Sequence, residues 1–140
     1  MTMPDTLFEF LSENVARPPL HQWLRAELVS IDEASGAVTL RLPFRDEFRR
    51  SPDRPEYHGG IIAALADMAG HAVVAAKLRH SVPTIDLRID YLRMAAGPFL
   101  LATGTPVKLG RTIGVVDVQI RDEAGRLVAV GRGAFSTREG

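Results

Sequence analysis

From Thr84 onward the chain reads "TIDLRIDYLRM", apolar and polar in strict alternation. Ile85, Leu87, Ile89 and Tyr91 fall on one face, and Asp86, Arg88 and Asp90 on the other. That is the period of a half-buried strand. Three further strand-like runs follow, "FLLATGTPVKL", "TIGVVDVQIRD" and "RLVAVGRGAFS", separated by the turn signals "AAGP", "GR" and "DEAG". Upstream, Trp23–Ile31 and Ala37–Leu42 read as two strands joined by the turn "DEASG". Two segments carry the helical pattern instead. "PDTLFEFLSEN" is a short amphipathic helix with Asp5 as its cap and Leu7, Phe10 and Leu11 on one side. Gly59 to Arg79 is a long helix, apolar on every face and closed by "HSVP". Between them, "PFRDEFRRSPDRPEY" holds four arginines and three prolines and predicts a loop without regular structure.

The sum is an α+β chain: an antiparallel sheet of about six strands around one long apolar helix, residues 1–140 as one domain, with 1–20 as N-terminal helix and lead-in. Short connections predict that consecutive strands are antiparallel neighbours. A helix apolar all round must be covered on both sides, and one curved sheet covers one side only. A second copy on the other side, hence a homo-oligomer, is the expectation.

Composition narrows this picture only slightly. The 140 residues are 46% hydrophobic, and 17 basic residues balance 17 acidic ones. No overall field invites nucleic acid or an anionic membrane. With no cysteine, disulfides, thiolate nucleophiles and Cys-based zinc sites are excluded. The acidic, broken N-terminus does not read as a signal peptide, so a cytoplasmic protein is expected. Asp67 and His71, at the centre of the long helix, argue against a membrane span.

Those two residues raise the chemical question, together with the "HGG" that opens the helix at His58. Leading N–H groups of a helix lack intrahelical partners and sit at its positive end. Gly59 or Gly60, without a side chain, lets a substrate carbonyl approach such a donor, making a backbone oxyanion hole. The plain alternative is a tight turn that needs glycine. Asp67 reads as a general base or nucleophile, or as a carboxylate that reaches an arginine or solvent. Eight residues separate it from Gly59, about 12 Å of helix. The two cannot act on one carbonyl from one helix, so joint action requires two subunits. His71, four residues on, can orient the carboxylate, share a proton, help ligate a metal or simply pack. Without H-E-x-x-H or a second ligand cluster, no metal site is expected, and no G-x-S-x-G is present.

"YHGGIIAALADMAG", "TIDLRIDYLRMA", "VKLGRT" and "AVGRGAF" together resemble the hotdog-fold acyl-CoA thioesterases, in the PaaI-like (phenylacetate-degradation) branch of the 4-hydroxybenzoyl-CoA thioesterase superfamily. The likeness runs from about Trp23 to Phe135. It implies a long helix wrapped by an antiparallel sheet, assembled as a homodimer or a homotetramer built as a dimer of dimers. The implied reaction is hydrolysis of an acyl-CoA thioester, with coenzyme A as part of the substrate and no cofactor. By position, Gly59 would polarise the carbonyl, His58 would shape the loop, and Asp67 of the partner subunit would attack or activate water. Thr84 would help hold that water. Gly60, Tyr91, Leu92, Arg93, Lys108, Gly110, Arg111 and Thr112 fall where such enzymes bind substrate, in the segments Tyr91–Ala96 and Lys108–Ile113. Arg93, Lys108 and Arg111 are the phosphate partners there.

One position departs from the pattern. Many relatives carry an asparagine six residues before the histidine; here it is Pro52, replaced in its polar role by Asp53, by Tyr57 or by nothing. The departure leaves a second reading, an acyl-CoA binding or sensing module that does not hydrolyse. A purely structural oligomer, with Asp67 paired to an arginine, is a third. The acyl group is not legible, though Phe10, Trp23, Leu65 and Met68 are candidates to line its pocket.

Overall fold

The computed structural model describes residues 6–138. Helix α1 spans Leu7–Ala16 and is capped by Thr6, whose side chain accepts the Glu9 N–H at 3.0 Å, half of a capping box. The expected cap, Asp5, lies outside the described residues. A second helix, α2, occupies Pro19–Leu24 and stops at Arg25, which takes a left-handed backbone (φ 62°). This corrects the reading of Trp23 as strand. Proline at the first position presets a helical φ, and the strand β1 begins only at Glu27 and runs to Asp32. Strand β2, Ala37–Pro43, buries Val38, Leu40 and Leu42 on alternate positions.

The arginine- and proline-rich segment is not structureless. A 3-10 turn at Asp46–Phe48 leads into a small hairpin of β3 (Arg49–Ser51) and β4 (Arg54–Tyr57). Phe48 anchors it, fully buried, and its carbonyl accepts the His58 N–H at 2.7 Å. Proline is tolerated in a two-stranded ribbon because each strand has one free edge.

Helix α3 runs Gly59–Leu78, ending where Arg79 turns left-handed (φ 64°) and bonds back to Ala75. Its small residues let the sheet approach closely: a Cβ on Gly104 would lie 2.7 Å from the Ala69 carbonyl oxygen, so only glycine fits there. By length and composition this helix would suit a membrane, yet Leu65, Ala69, Val73 and Val74 pack into the core of the fold.

Strands β5 (Thr84–Tyr91), β6 (Phe99–Leu109), β7 (Ile113–Asp122) and β8 (Leu127–Ser136) complete a six-stranded sheet in the order β1-β2-β6-β7-β8-β5, antiparallel throughout. This is the hotdog arrangement of a long helix on a curved antiparallel sheet. One connection differs from expectation. β5 does not pair with β6; it lies at the far edge on β8, so residues 92–98 cross rather than turn a hairpin. α1 packs on α3 and takes part of the side that the sequence reading left to a second copy.

Candidate active site

The backbone at the start of α3 is fixed from three directions. His58 caps the helix, its Nδ1 accepting the Gly60 N–H at 2.8 Å. The His58 carbonyl accepts from Ile61 and Ile62. Tyr91, at the end of β5, donates its hydroxyl to the Gly59 carbonyl at 2.7 Å. Among the described residues the Gly59 N–H has no partner, while that of Gly60 is already engaged. One donor therefore remains open at the positive end of the helix. Gly59 lines a groove of about 520 Å³, whose walls also include Arg50, Tyr57, Ile62, Tyr91, Arg93 and Met94. Arg50, in β3, was not singled out from the sequence, where four arginines in one segment look alike. Its Nε bonds Glu56 at 3.0 Å.

Neither suggested substitute for the missing asparagine reaches this groove as a free polar group. Pro52 is exposed at the hairpin tip and Asp53 accepts from Ser51 Oγ at 3.0 Å. Tyr57 is buried and donates to the Gly97 carbonyl at 3.0 Å. Burial pushes its phenol well up, only partly opposed by Arg41, so it stays protonated.

Asp67 lies in a second groove of about 270 Å³, shared with Pro18, His21, Met68, His71 and Thr84. Its Oδ1 accepts the Thr84 hydroxyl at 2.7 Å. Thr84 thus grips the carboxylate itself, leaving the second oxygen for other work. His71 accepts the Val82 N–H on Nε2 at 3.2 Å, and since a backbone N–H can only donate, the neutral ring carries its proton on Nδ1. Burial first, then the neighbouring His21, lower its pKa, against the pull of Asp67. His71 is therefore a neutral anchor for the loop that leads to Thr84. His21 in turn donates from Nδ1 to the Val15 carbonyl at 2.8 Å. No group of three or more His, Asp or Glu able to hold a metal ion occurs among the described residues.

The fold thus gathers the sequence candidates into three places. Gly59, Gly60, Tyr91, Leu92 and Arg93 share the first groove. Asp67 and Thr84 share the second. Lys108, near the end of β6, leads into the β6–β7 turn of Gly110, Arg111 and Thr112, held by Thr137 bonds to the Gly110 and Thr112 carbonyls. That turn lies beside the C-terminal half of α3: Leu109 lines a groove with Val73 and Lys77. Of the candidates for an acyl pocket, Met68 lines the Asp67 groove, whereas Leu65 is wholly enclosed in the core. Trp23 instead stacks edge-on against Phe48, with the Arg45 guanidinium over both rings.

Comparison with known proteins gives these features a setting. The Thioesterase superfamily profile matches residues 57–129, from the residue before His58 to β8. A "Putative esterase" of Halobacterium salinarum is 38% identical over 119 residues, spanning 76% of this chain and 78% of that protein. The medium/long-chain acyl-CoA thioesterase YigI of Escherichia coli is 35% identical over 81 residues, 47% of this chain and 52% of that protein. Among solved structures, the PaaI protein from the phenylacetic acid degradation operon of Escherichia coli superposes with a TM-score of 0.81 at 22% identity, covering 96% and 98% of the two chains. At that identity the likeness speaks for the fold.

Proposed function

The chain belongs to the thioesterase superfamily, and from that premise we propose that it hydrolyses the thioester bond of an acyl-CoA as a homo-oligomer. The observation that carries the reading is the division of labour along α3. An open backbone donor stands at Gly59, and a carboxylate gripped by Thr84 stands at Asp67, about 12 Å further on. Each is half of a hydrolytic site, and the halves meet when two copies place their helices side by side in opposite directions.

In that arrangement the Gly59 N–H receives the thioester oxygen and stabilises the negative charge that grows there. Asp67 of the partner subunit completes the reaction by one of two routes. As a base it takes a proton from water while the hydroxide adds to the carbonyl carbon; the C–S bond then breaks and the proton passes to the leaving thiolate. As a nucleophile it forms an acyl anhydride with release of the thiolate, and water then cleaves the anhydride. Arg93 and Arg50 beside the groove, and Lys108 and Arg111 from the other copy, supply cations for the phosphates of coenzyme A.

The test is thiol release from a panel of aromatic and aliphatic acyl-CoAs, with Asp67→Asn alongside. Turnover that disappears in the variant while the oligomer stays intact is the expected result. Binding of the panel without turnover above buffer would replace the enzyme by an acyl-CoA binding module, and no binding would remove the acyl-CoA reading.

A further inference from the structure

The polar side chains around Asp67 share one property: each uses one atom to fix its own position and keeps another for a visitor. Asp67 commits Oδ1 to the Thr84 hydroxyl at 2.7 Å and keeps Oδ2. His71 commits Nε2 to the Val82 N–H at 3.2 Å and keeps a proton on Nδ1. Ser81 accepts from Asn14 Nδ2 at 2.9 Å and keeps its own hydroxyl proton. His21, from α2, donates from Nδ1 to the Val15 carbonyl at 2.8 Å, so its neutral ring keeps Nε2 as a bare acceptor. All four line the same groove of about 270 Å³. The two histidines thus play opposite parts there. His71 has no acceptor left, whereas His21, with Nδ1 turned to Val15, presents the ring edge that carries Nε2.

We propose that His21 is a further catalytic residue, which holds the water that Asp67 activates; the inference rests on the hydrolase reading. Asp67 Oδ2 and His21 Nε2 are both acceptors, and two acceptors on one groove suit a molecule with two protons. Water settles where two to four polar partners meet in a space of this kind. A water bonded to Asp67 alone swivels about that bond and sends its lone pairs in many directions. A second acceptor removes the freedom, and the lone pair opposite the two bonds becomes the one that attacks. Thr84 cannot replace His21 as the fixed second acceptor while its proton is committed to Asp67; its part is to steady the base.

In the reaction, Asp67 takes one proton as the water oxygen adds to the thioester carbon. The other proton stays on that oxygen, bonded to His21, and leaves with the carboxylic acid product. The C–S bond breaks, and the proton on Asp67 passes to the thiolate. His21 itself ends as it began, neutral and bonded to Val15. The helices α1 and α2 then belong to the catalytic unit, because the last turn of α1 supplies the carbonyl that sets the ring. The competing account makes His21 a cap and nothing more, since carbonyls in a last helical turn lack partners of their own.

Two substitutions separate the accounts. Asparagine puts its amide nitrogen where histidine has Nδ1, and glutamine puts its amide where histidine has Nε2. His21→Asn therefore keeps the bond to Val15 and removes the acceptor, while His21→Gln loses that bond and places a carbonyl oxygen at the acceptor position. On the best acyl-CoA of the panel, His21→Asn is expected to lower kcat roughly tenfold, with KM within about twofold and an unchanged thermal midpoint. His21→Gln is expected to keep more of kcat than His21→Asn, although its midpoint falls by roughly 3 °C. Activity that follows stability instead, or wild-type kcat in His21→Asn, would make the residue a cap and overturn the proposal. Imidazole nitrogen NMR, well above the ordinary histidine pKa, reads the tautomer without reference to turnover. The His21 signals, assigned by their loss in His21→Asn, should show Nδ1 protonated and Nε2 bare, and a proton on Nε2 would overturn the proposal as well. Turnover abolished by Asp67→Asn but untouched by His21→Asn keeps the hydrolase and removes the role of His21. A wild-type chain without turnover removes both.

Discussion

The first turn of α3 and its third turn share one helix but offer opposite chemistry. Around Gly59, the free N–H, the helix dipole and Arg93 favour an incoming negative charge, while Arg50 is paired with Glu56. Around Asp67 the surroundings are arranged to keep a carboxylate fixed: one oxygen is held by Thr84, and His71 is kept neutral by burial with its acceptor nitrogen occupied by Val82. In the proposed hydrolysis, the first region receives the thioester oxygen and the second supplies the group that attacks or deprotonates. Eight residues of one helix hold the two groups about 12 Å apart, and a helix is too stiff to fold back on itself. The lesson is that helix length bears on assembly: on the proposed reading, the chemistry is completed by a second copy rather than by another loop.

The sharpest way to break this comparison is at Asp67. Asp67→Asn preserves shape and the Thr84 contact but cannot accept a proton, and is expected to lower kcat/KM on the best acyl-CoA by about 10³-fold. Size-exclusion chromatography should show the oligomer unchanged.

A mixing experiment separates the two regions onto different chains. Gly59→Val drives branched carbons towards the Tyr91 ring, which already stands 3.4 Å from where a Cβ would be, and closes the open donor. Each variant alone should be inactive. Co-refolded in equal amounts they should recover about a quarter of wild-type activity, because half of the dimers are mixed and each mixed dimer has one intact site. No recovery would mean that both groups act from the same chain.

A smaller effect is expected at the supports. Thr84→Ala removes one charge-assisted hydrogen bond and should cost roughly tenfold in kcat with KM little changed. Tyr91→Phe frees the Gly59 carbonyl and should cost a few-fold. An equal or larger loss at Tyr91 would reverse the ranking of the two regions.

The smallest is a pH effect on stability. The lowered pKa of His71 means that the unfolded chain binds the extra proton more readily than the folded one. Stability is therefore whole above the ordinary histidine value of 6.5 and falls as pH drops below it and through the folded-state pKa. Denaturant midpoints at several pH values should show this loss in the wild type and less of it in His71→Gln.

Alternation and composition were enough to place α3 and the last four strands, because periods of 2 and 3.6 are local properties of the chain. "HGG" and Asp67 stood out for the same reason: each is a local breach of an apolar pattern. The hairpin of β3 and β4 escaped notice because its arginines and prolines suppress any periodic signal. What forms it is the burial of Phe48 and the bond from His58, both fixed by distant partners. Arg50 was hidden with it, and the helical turn at Pro19–Leu24 was misread because Trp23 favours strands wherever context is ignored.

The sequence by itself determined the fold class, the long helix with its glycine start and central aspartate, and the last four strands. Only the tertiary structure decided that β5 leaves its neighbour in sequence for the far edge, that Thr84 grips Asp67 directly, and that the Gly60 N–H at the start of α3 is taken by His58 while that of Gly59 stays open. Pattern along a chain reports which face of an element is buried. Which element covers that face, and which hydrogen bond is left unmade, depend on groups brought together from many residues apart.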